Sequence, residues 1–238
     1  MPILFFPDPE AEASPEGIVG VGGDLETETL LQAYSQGIFP WPVNVPDVKD
    51  PVLAWFCPPE RAILEFSTLH VPRSLAKARK KAEKEGWRFT VDQCFPEVIE
   101  ACAEPRPDLE EPSGLQGTWI TPQMKEAYKI LWKKGHAHSV EVWAPTDDGK
   151  HHELVGGLYG TCVAGVFAGE SMFHRRDNAS KFAVLHLVGL LRKQGLSWID
   201  IQVMTDHFEA LGAHTLSRKE FLKLLHAEQK LARSCPLR

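Results

Sequence analysis

The 238-residue sequence predicts an α+β protein in two parts: a small N-terminal α+β domain over residues 1–70 and a larger domain over 71–238. Two observations set the division. Residues 1–70 crowd proline, glycine and aromatic residues into short runs (FFPDP, GVGGDL, QGIFPWP, DPVLAWFCPPERA), a pattern of short strands and turns, whereas longer periodic elements begin at Pro72. A third observation sets the class of the larger part. Three consecutive runs, HAHSVEVWA, ELVGGLYGTCV and GVFAGESMF, are broken by turn residues at DDGK and Ala164–Gly165, as in an antiparallel meander. A hydrophobic content of 43% and a charged content of 24% are ordinary for a globular chain.

In chain order, one short helix is expected over 25–36. Gly22 and Gly23 read as a turn, because neither GxGxxG nor GxxxxGK[ST] is present. A basic helix follows over 74–85, a strand over 88–91 and a helix over 95–103, and then a proline-rich loop, EPRPDLEEPSGLQG. Thr121 as cap and Pro122 at the first helical position start a helix over 121–134. After the meander comes NASKFAVLHLVGLLRKQG, a helix capped by Asn178 or Asp177 with an apolar stripe at Val184, Leu185, Val188 and Leu191. The strand WIDIQV, a short helix over 207–211 and a last helix, SRKEFLKLLHAEQKLA, complete the order. This succession fits a sheet with helices on both faces. Among several α+β possibilities it includes the acyltransferase fold named after histone-type N-acetyltransferases.

Charge is segregated. The net charge is −6, yet residues 73–88 carry +5 and residues 218–238 carry +4, leaving −15 for the rest. Such a layout suits either a solvated helix face or a polyanion-facing patch beside an acidic region for a cationic partner. The five cysteines (Cys57, Cys94, Cys102, Cys162, Cys235) are widely spaced without a CxxC pair, which argues for reduced thiols in a cytoplasmic setting and against a zinc site. His136 with His138, and His151 with His152, lack the neighbouring ligand pattern of a metal centre, so no metal is expected. No run approaches a membrane span, and no secretory signal is read at the start.

Three clues bear on chemistry. In WIDIQV, Ile199, Ile201 and Val203 share one face by the two-residue period, and Asp200 and Gln202 share the other. That face belongs either to a water-washed edge strand or, in a central strand, to a cavity. Glu170 is the lone carboxylate of a glycine-relieved ribbon, on the face of Val166, Ala168 and Met172 and opposite Phe167, Ser171 and Phe173. Trp55 and Trp119 sit in loop-like surroundings, free to stack on a base or to plug a core. No GxSxG or Cys–His arrangement supports a nucleophile. HRRDNASK, where the N-acetyltransferase fold carries its glycine turn for coenzyme A, has no glycine. A non-catalytic RNA-binding protein is the remaining alternative.

Ten segments in order, GGDL, YSQGIFPW, WFCPPERA, TWIT, GHAHSVEVW, LVGGLYG, GESMF, NASK, IDIQ and DHFEALGA, resemble the bacterial leucyl/phenylalanyl-tRNA–protein transferase family over nearly the whole chain. Cys57 replaces a usual Ser, Ala54 a common second Trp, and the loop over 108–116 is longer than usual. The resemblance implies transfer of Leu or Phe, less often Met, from tRNA to the α-amine of proteins beginning with Arg or Lys, marking them for N-end rule degradation. It also implies a C-terminal domain of the N-acetyltransferase type. With the tRNA ester already activated, no cofactor is expected; the protein is expected to be a cytoplasmic monomer. Asp200, Gln202 and Glu170 would form the reaction centre, Asp200 fixing the Gln202 amide and Glu170 binding the cationic acceptor or holding that pair. Trp55 and Trp119 would hold the terminal adenosine. Leu158, Phe167 and Met172 would line the amino-acid pocket, and Arg73, Lys77, Arg79, Lys80, Lys81 and Lys84 would meet tRNA phosphates.

Overall fold

The computed structural model describes residues 5–45, 47–48, 50–105, 118–231 and 237; the loop extension over 108–116 and Cys235 lie outside them. The N-terminal part holds a one-turn helix α1 (Pro9–Glu12), β1 (Ile18–Val21), α2 (Thr27–Ser35), β2 (Phe39–Val43) and β3 (Val52–Phe56). Its strands form an antiparallel sheet in the order β1-β3-β2. Pro40 and Pro42 fall in β2, an edge strand, where a missing backbone donor is tolerated.

Next comes β4 (Glu60–Glu65), which pairs with strands near the far end of the chain. The change of sheet therefore falls at residues 57–59 rather than near 70. Ala62, Ile63 and Leu64 are fully buried, as an apolar run in an interior strand requires. The remainder contains α3 (Arg73–Lys84), β5 (Arg88–Val91), α4 (Phe95–Cys102), α5 (Pro122–Lys133), β6 (Ala137–Pro145), β7 (His152–Val163) and β8 (Val166–His174). It closes with α6 (Ala179–Lys193), β9 (Trp198–Gln202), α7 (Asp206–Glu209), β10 (His214–Ser217) and α8 (Arg218–Gln229). The larger sheet runs β10-β4-β9-β8-β7-β6-β5, and only β8 and β9 pair in parallel among the described strands, across the α6 connection. The α+β class and the three-strand meander match expectation. β10 is a four-residue, half-exposed edge strand with little periodic signal to fix its bounds.

The caps have local causes. Thr121 Oγ1 accepts from the Met124 amide at 3.2 Å and Pro122 opens α5, as the sequence predicts. At α6, Asn178 takes the cap position with a left-handed backbone (φ 65°) and makes no side-chain cap bond, so the cap is set by backbone and not by amide chemistry. Ser217 and Glu220 close a reciprocal capping box on α8.

Two apolar cores flank the larger sheet. One, with Phe95, Tyr128, Tyr159 and Phe221 beneath α4, α5 and α8, continues into the small sheet through Leu30, Ile38, Phe39 and Trp55. The other, with Leu64, Leu158, Phe167, Phe182 and Ile199, lies beneath α3 and α6. Cys57, Cys94 and Cys102 are outside any disulfide, whereas Cys162 is disulfide-bonded, which corrects the expectation of reduced thiols throughout.

Candidate active site

The parallel pair β8 and β9 meets at Ala168 and Asp200. Two residues further along each strand stand Glu170 and Gln202. The ladder between β7 and β8 pairs Tyr159 with Ser171 and then Gly160 with Gly169, leaving Glu170 as the extra residue of a β-bulge. Because one added residue reverses the alternation, Phe167 and Met172 come to the same face, with Leu158, in the core beneath α6, while Phe173 passes to the other. The uninterrupted alternation read from sequence is therefore corrected at Glu170. Gly160 makes this possible: a Cβ there would meet Ala168 O at 2.3 Å and the Phe167 ring at 2.6 Å. Gly169, by contrast, has only an ordinary contact, Asp200 O at 3.7 Å from a built Cβ.

The result is a largely apolar slot of about 180 Å³. Leu158, Phe167, Met172, Val184, Leu187 and Ile201 wall it, Glu170 and Gln202 supply its polar side, and Trp41, Val203 and Phe208 also line it. The structure brings Leu158, Phe167 and Met172 together in this one slot.

Glu170 is half-buried and held by donors from three elements. Tyr34 of α2 donates to Oε1 at 2.8 Å, Tyr128 of α5 to Oε2 at 3.2 Å, and Gln202 Nε2 to Oε1 at 3.0 Å. The two phenol oxygens also lie 2.5 Å apart. Two phenol protons cannot serve three O···O contacts; a third, on Glu170, would complete the triangle. Burial pushes the Glu170 carboxyl up to about 7 against the pull of its three donors, and burial next to that carboxylate holds both phenols well above their ordinary range.

Asp200 is placed otherwise than expected. Its carboxylate does not touch the Gln202 amide; that group is held by Glu170. Instead Arg61 of β4 grips it, Nε to Oδ1 at 2.8 Å and Nη2 to Oδ2 at 2.6 Å, and Oδ1 also accepts the Gln202 backbone N–H at 2.9 Å. Both Asp200 and Gln202 are 3% exposed, so the polar face of β9 is buried and not washed by water.

The tryptophans divide. Trp55 is 1% exposed, donates Nε1 to Gly22 O at 2.9 Å and meets Phe6 edge-on at 4.9 Å; it is a core residue of β3 with no face for a base. Trp119 is also buried, stacked on Trp41 with centroids 4.9 Å apart and planes at 12°. Trp41 carries this pair to the slot. On α3, Arg73, Lys77, Lys80, Lys81 and Lys84 are exposed. Arg79 is half-buried, bonded to Glu83 at 3.1 Å and lying over Phe89 at 4.8 Å, so it is less free than the others to meet an outside anion. The start of α3 and the segment through His207, Ala210 and Leu211 share a second cavity, whereas Thr205 and Phe208 face the slot. The start of the basic helix therefore borders this second cavity and not the slot.

Among the described residues no three His, Cys, Asp or Glu side chains converge as a metal site, and no helix is long and apolar enough to cross a membrane. His138 is instead buried against Asp92 at 2.7 Å. Arg61, Tyr34, Tyr128 and Trp41 were not singled out by sequence, although Tyr34, Trp41 and Arg61 lie inside the quoted YSQGIFPW and WFCPPERA. A buried Asp200 needs a cation, which is the signal that could have found Arg61.

An apolar slot ending on one carboxylate and one amide, with one indole of a stacked pair in its lining, has the make-up of a group-transfer site that works by positioning. Comparison makes the class specific. Residues 63–226 match the family described as leucyl/phenylalanyl-tRNA protein transferase, and residues 23–59 match its N-terminal domain. Leucyl/phenylalanyl-tRNA–protein transferases of Shewanella sp. (strain W3-18-1) and Shewanella woodyi are 45% and 46% identical over 221 residues, 92% of this chain and 85% of each relative. A functionally unknown conserved protein from Staphylococcus epidermidis, a solved structure, covers 84% of this chain and 68% of its own at 9% identity and a TM-score of 0.39, too slight a likeness to assign a fold. The chain belongs to the leucyl/phenylalanyl-tRNA–protein transferase family, and it is a transferase enzyme.

Proposed function

We propose that this enzyme moves Leu, Phe or Met from the 3′ end of its tRNA to the α-amine of proteins beginning with Arg or Lys, and that the product is marked for N-end rule degradation in the cytoplasm. The observation that carries the reading is the apolar slot ending on the Glu170–Gln202 pair. The donor side chain fills the slot beside Leu158, Phe167 and Met172; burying a Leu or Phe side chain contributes about 1.5–3 kcal/mol. The acceptor nitrogen attacks the ester carbonyl carbon, the bond from that carbon to the ribose oxygen breaks, and the amine's surplus proton ends on the freed hydroxyl. Gln202 Nε2 is engaged by Glu170, which leaves its carbonyl oxygen to accept from the incoming amine. The negative charge of Glu170 favours a cationic acceptor. A larger domain of N-acetyltransferase type fits the β8–α6–β9 unit, whose parallel strands pair at a single point beside the slot.

Purified protein, labelled leucyl-tRNA and peptides beginning with Arg, Lys or Ala test the reading: label should enter the first two only. Label entering the Ala peptide equally, or none at all, would overturn it.

Trp41 stacked on Trp119, rather than Trp55, is the platform for the terminal adenosine in this reading. Trp41→Ala should raise KM for aminoacyl-tRNA roughly 5- to 150-fold, the equivalent of about 1–3 kcal/mol of stacking, with a small change in melting temperature. Trp55→Ala should do the reverse, costing about 3–5 kcal/mol of stability with little effect on KM in the protein that remains folded. Five exposed cations on α3 fit the tRNA backbone. Lys77→Gln with Lys80→Gln should flatten the dependence of log KM on log salt by about one unit per lost phosphate contact.

A further inference from the structure

We propose that Arg61 is a positioning residue of this enzyme: by locking Asp200 it holds Gln202 in a left-handed turn that aims the Gln202 amide at Glu170. The inference rests on the reading of Gln202 as the group that meets the acceptor amine.

Gln202 has φ 62°, a region that side chains other than glycine enter at a cost. The N–H of Val203 donates back to Ile201 O at 2.7 Å, so Gln202 is the centre of a three-residue turn, a strained form when φ is positive. The turn sits where the β4–β9 ladder is irregular. The ladder slips there, pairing Ala62 with Gln202 but Ile63 with Asp200, so Ile201 is an extra residue on β9. Beside that pairing, Asp200 Oδ1 accepts the Gln202 N–H and ties the turn to the Asp200 carboxylate.

Among the described residues, the side chain that grips Asp200 is that of Arg61. Two guanidinium nitrogens take the two carboxylate oxygens, and the rings of Phe39 and Phe221 each stand 4.6 Å from the guanidinium carbon. Arg61 is 1% exposed, and its third guanidinium nitrogen, Nη1, has no hydrogen-bond partner among the described residues. Its orientation therefore comes from the carboxylate and the two rings. A Lys ammonium can neither form the fork nor fill the gap between rings. The chain of placement runs from Arg61 through Asp200 to the Gln202 backbone, and only then to the side chain at the slot.

Two measurements test this. Amide hydrogen exchange, which needs no substrate, should show the Gln202 N–H protected in the wild type and exposed in Arg61→Lys, while Trp198 and Ile199 remain protected. In transfer from leucyl-tRNA to an Arg-initiated peptide, Arg61→Lys should lower kcat by about 10- to 100-fold with the donor KM within about threefold. Should Arg61→Lys fail to fold, Arg61→Met in an Asp200→Asn background removes both charges and should lower kcat by less than about threefold beyond Asp200→Asn, because the two residues act as one unit. Unchanged exchange at Gln202, full kcat in Arg61→Lys, or a large additional loss in the double variant would each overturn the role. A wild-type protein that transfers nothing would defeat the functional reading but leave the exchange result to judge Arg61.

Discussion

Gln202→Ala is expected to lower kcat for transfer to Arg-initiated peptides by about 10²-fold or more, with the donor KM within about threefold. The amide is held by Glu170 on the polar side of the slot, so its removal should spare the apolar walls that bind the donor and act on the step in which the amine meets the ester. The backbone should keep its turn, since Asp200 holds the Gln202 N–H and not its side chain. Glu170 loses one of its three donors but keeps both phenols. A rise in donor KM matching the fall in kcat/KM, at unchanged kcat, would place Gln202 in tRNA binding instead. Gln202→Asn, which retains an amide but withdraws it by one methylene, should recover little of the lost rate, because the amide can no longer span from Glu170 to the acceptor.

The second large effect is a pH-dependent trade between rate and stability at Glu170. With its carboxyl at about 7, the wild-type kcat/KM should rise as pH passes through that value and Glu170 becomes charged, followed by the amine's own titration near 7.7–8.0. Glu170→Gln should be strongly impaired toward Arg-initiated peptides and should keep only the later limb. Stability should move the other way. The folded carboxyl holds its proton more tightly than the unfolded one, whose ordinary value is 4.5. The associated stabilisation is therefore full below about 4.5 and is lost as pH rises through about 7. The loss is on the order of 2 kcal/mol after allowing for partial exposure. Glu170→Gln, neutral at every pH, should melt close to wild type at pH 5 and roughly 4–8 °C higher at pH 8. Equal melting temperatures at pH 8, or an unchanged pH–rate profile, would remove Glu170 from this account.

Much of the architecture was legible because its signals are local. The meander announces itself by runs of strand-forming residues between turns, and α5 and α6 by caps and stripes. In β9 the polar pair was readable as such, and both Asp200 and Gln202 are buried, but the extra residue Ile201 between them breaks the alternation that would put them on one face. What escaped reading was set by contacts distant in sequence. One extra residue at Glu170 reverses the alternation of β8, and no pattern within GVFAGESMF marks where the ladder slips. Trp55 and Trp41 lie in equally aromatic surroundings. Only the pairing of β3 between β1 and β2 decides that the first is interior and the second faces the slot. Arg61 and Tyr34 are far in sequence from the carboxylates they hold, and a strand as short as β10 carries too few residues to show a period.

The phenol on α2 and the ring of Phe39 on β2 both come from the first third of the chain, yet each clamps a group whose partner lies near its end. An isolated large sheet would thus lack one proton donor to its key carboxylate and one wall of the cage around Arg61. Splitting the gene at residues 57–59 should yield two inert pieces, and mixing them should restore turnover only as far as they re-form this seam.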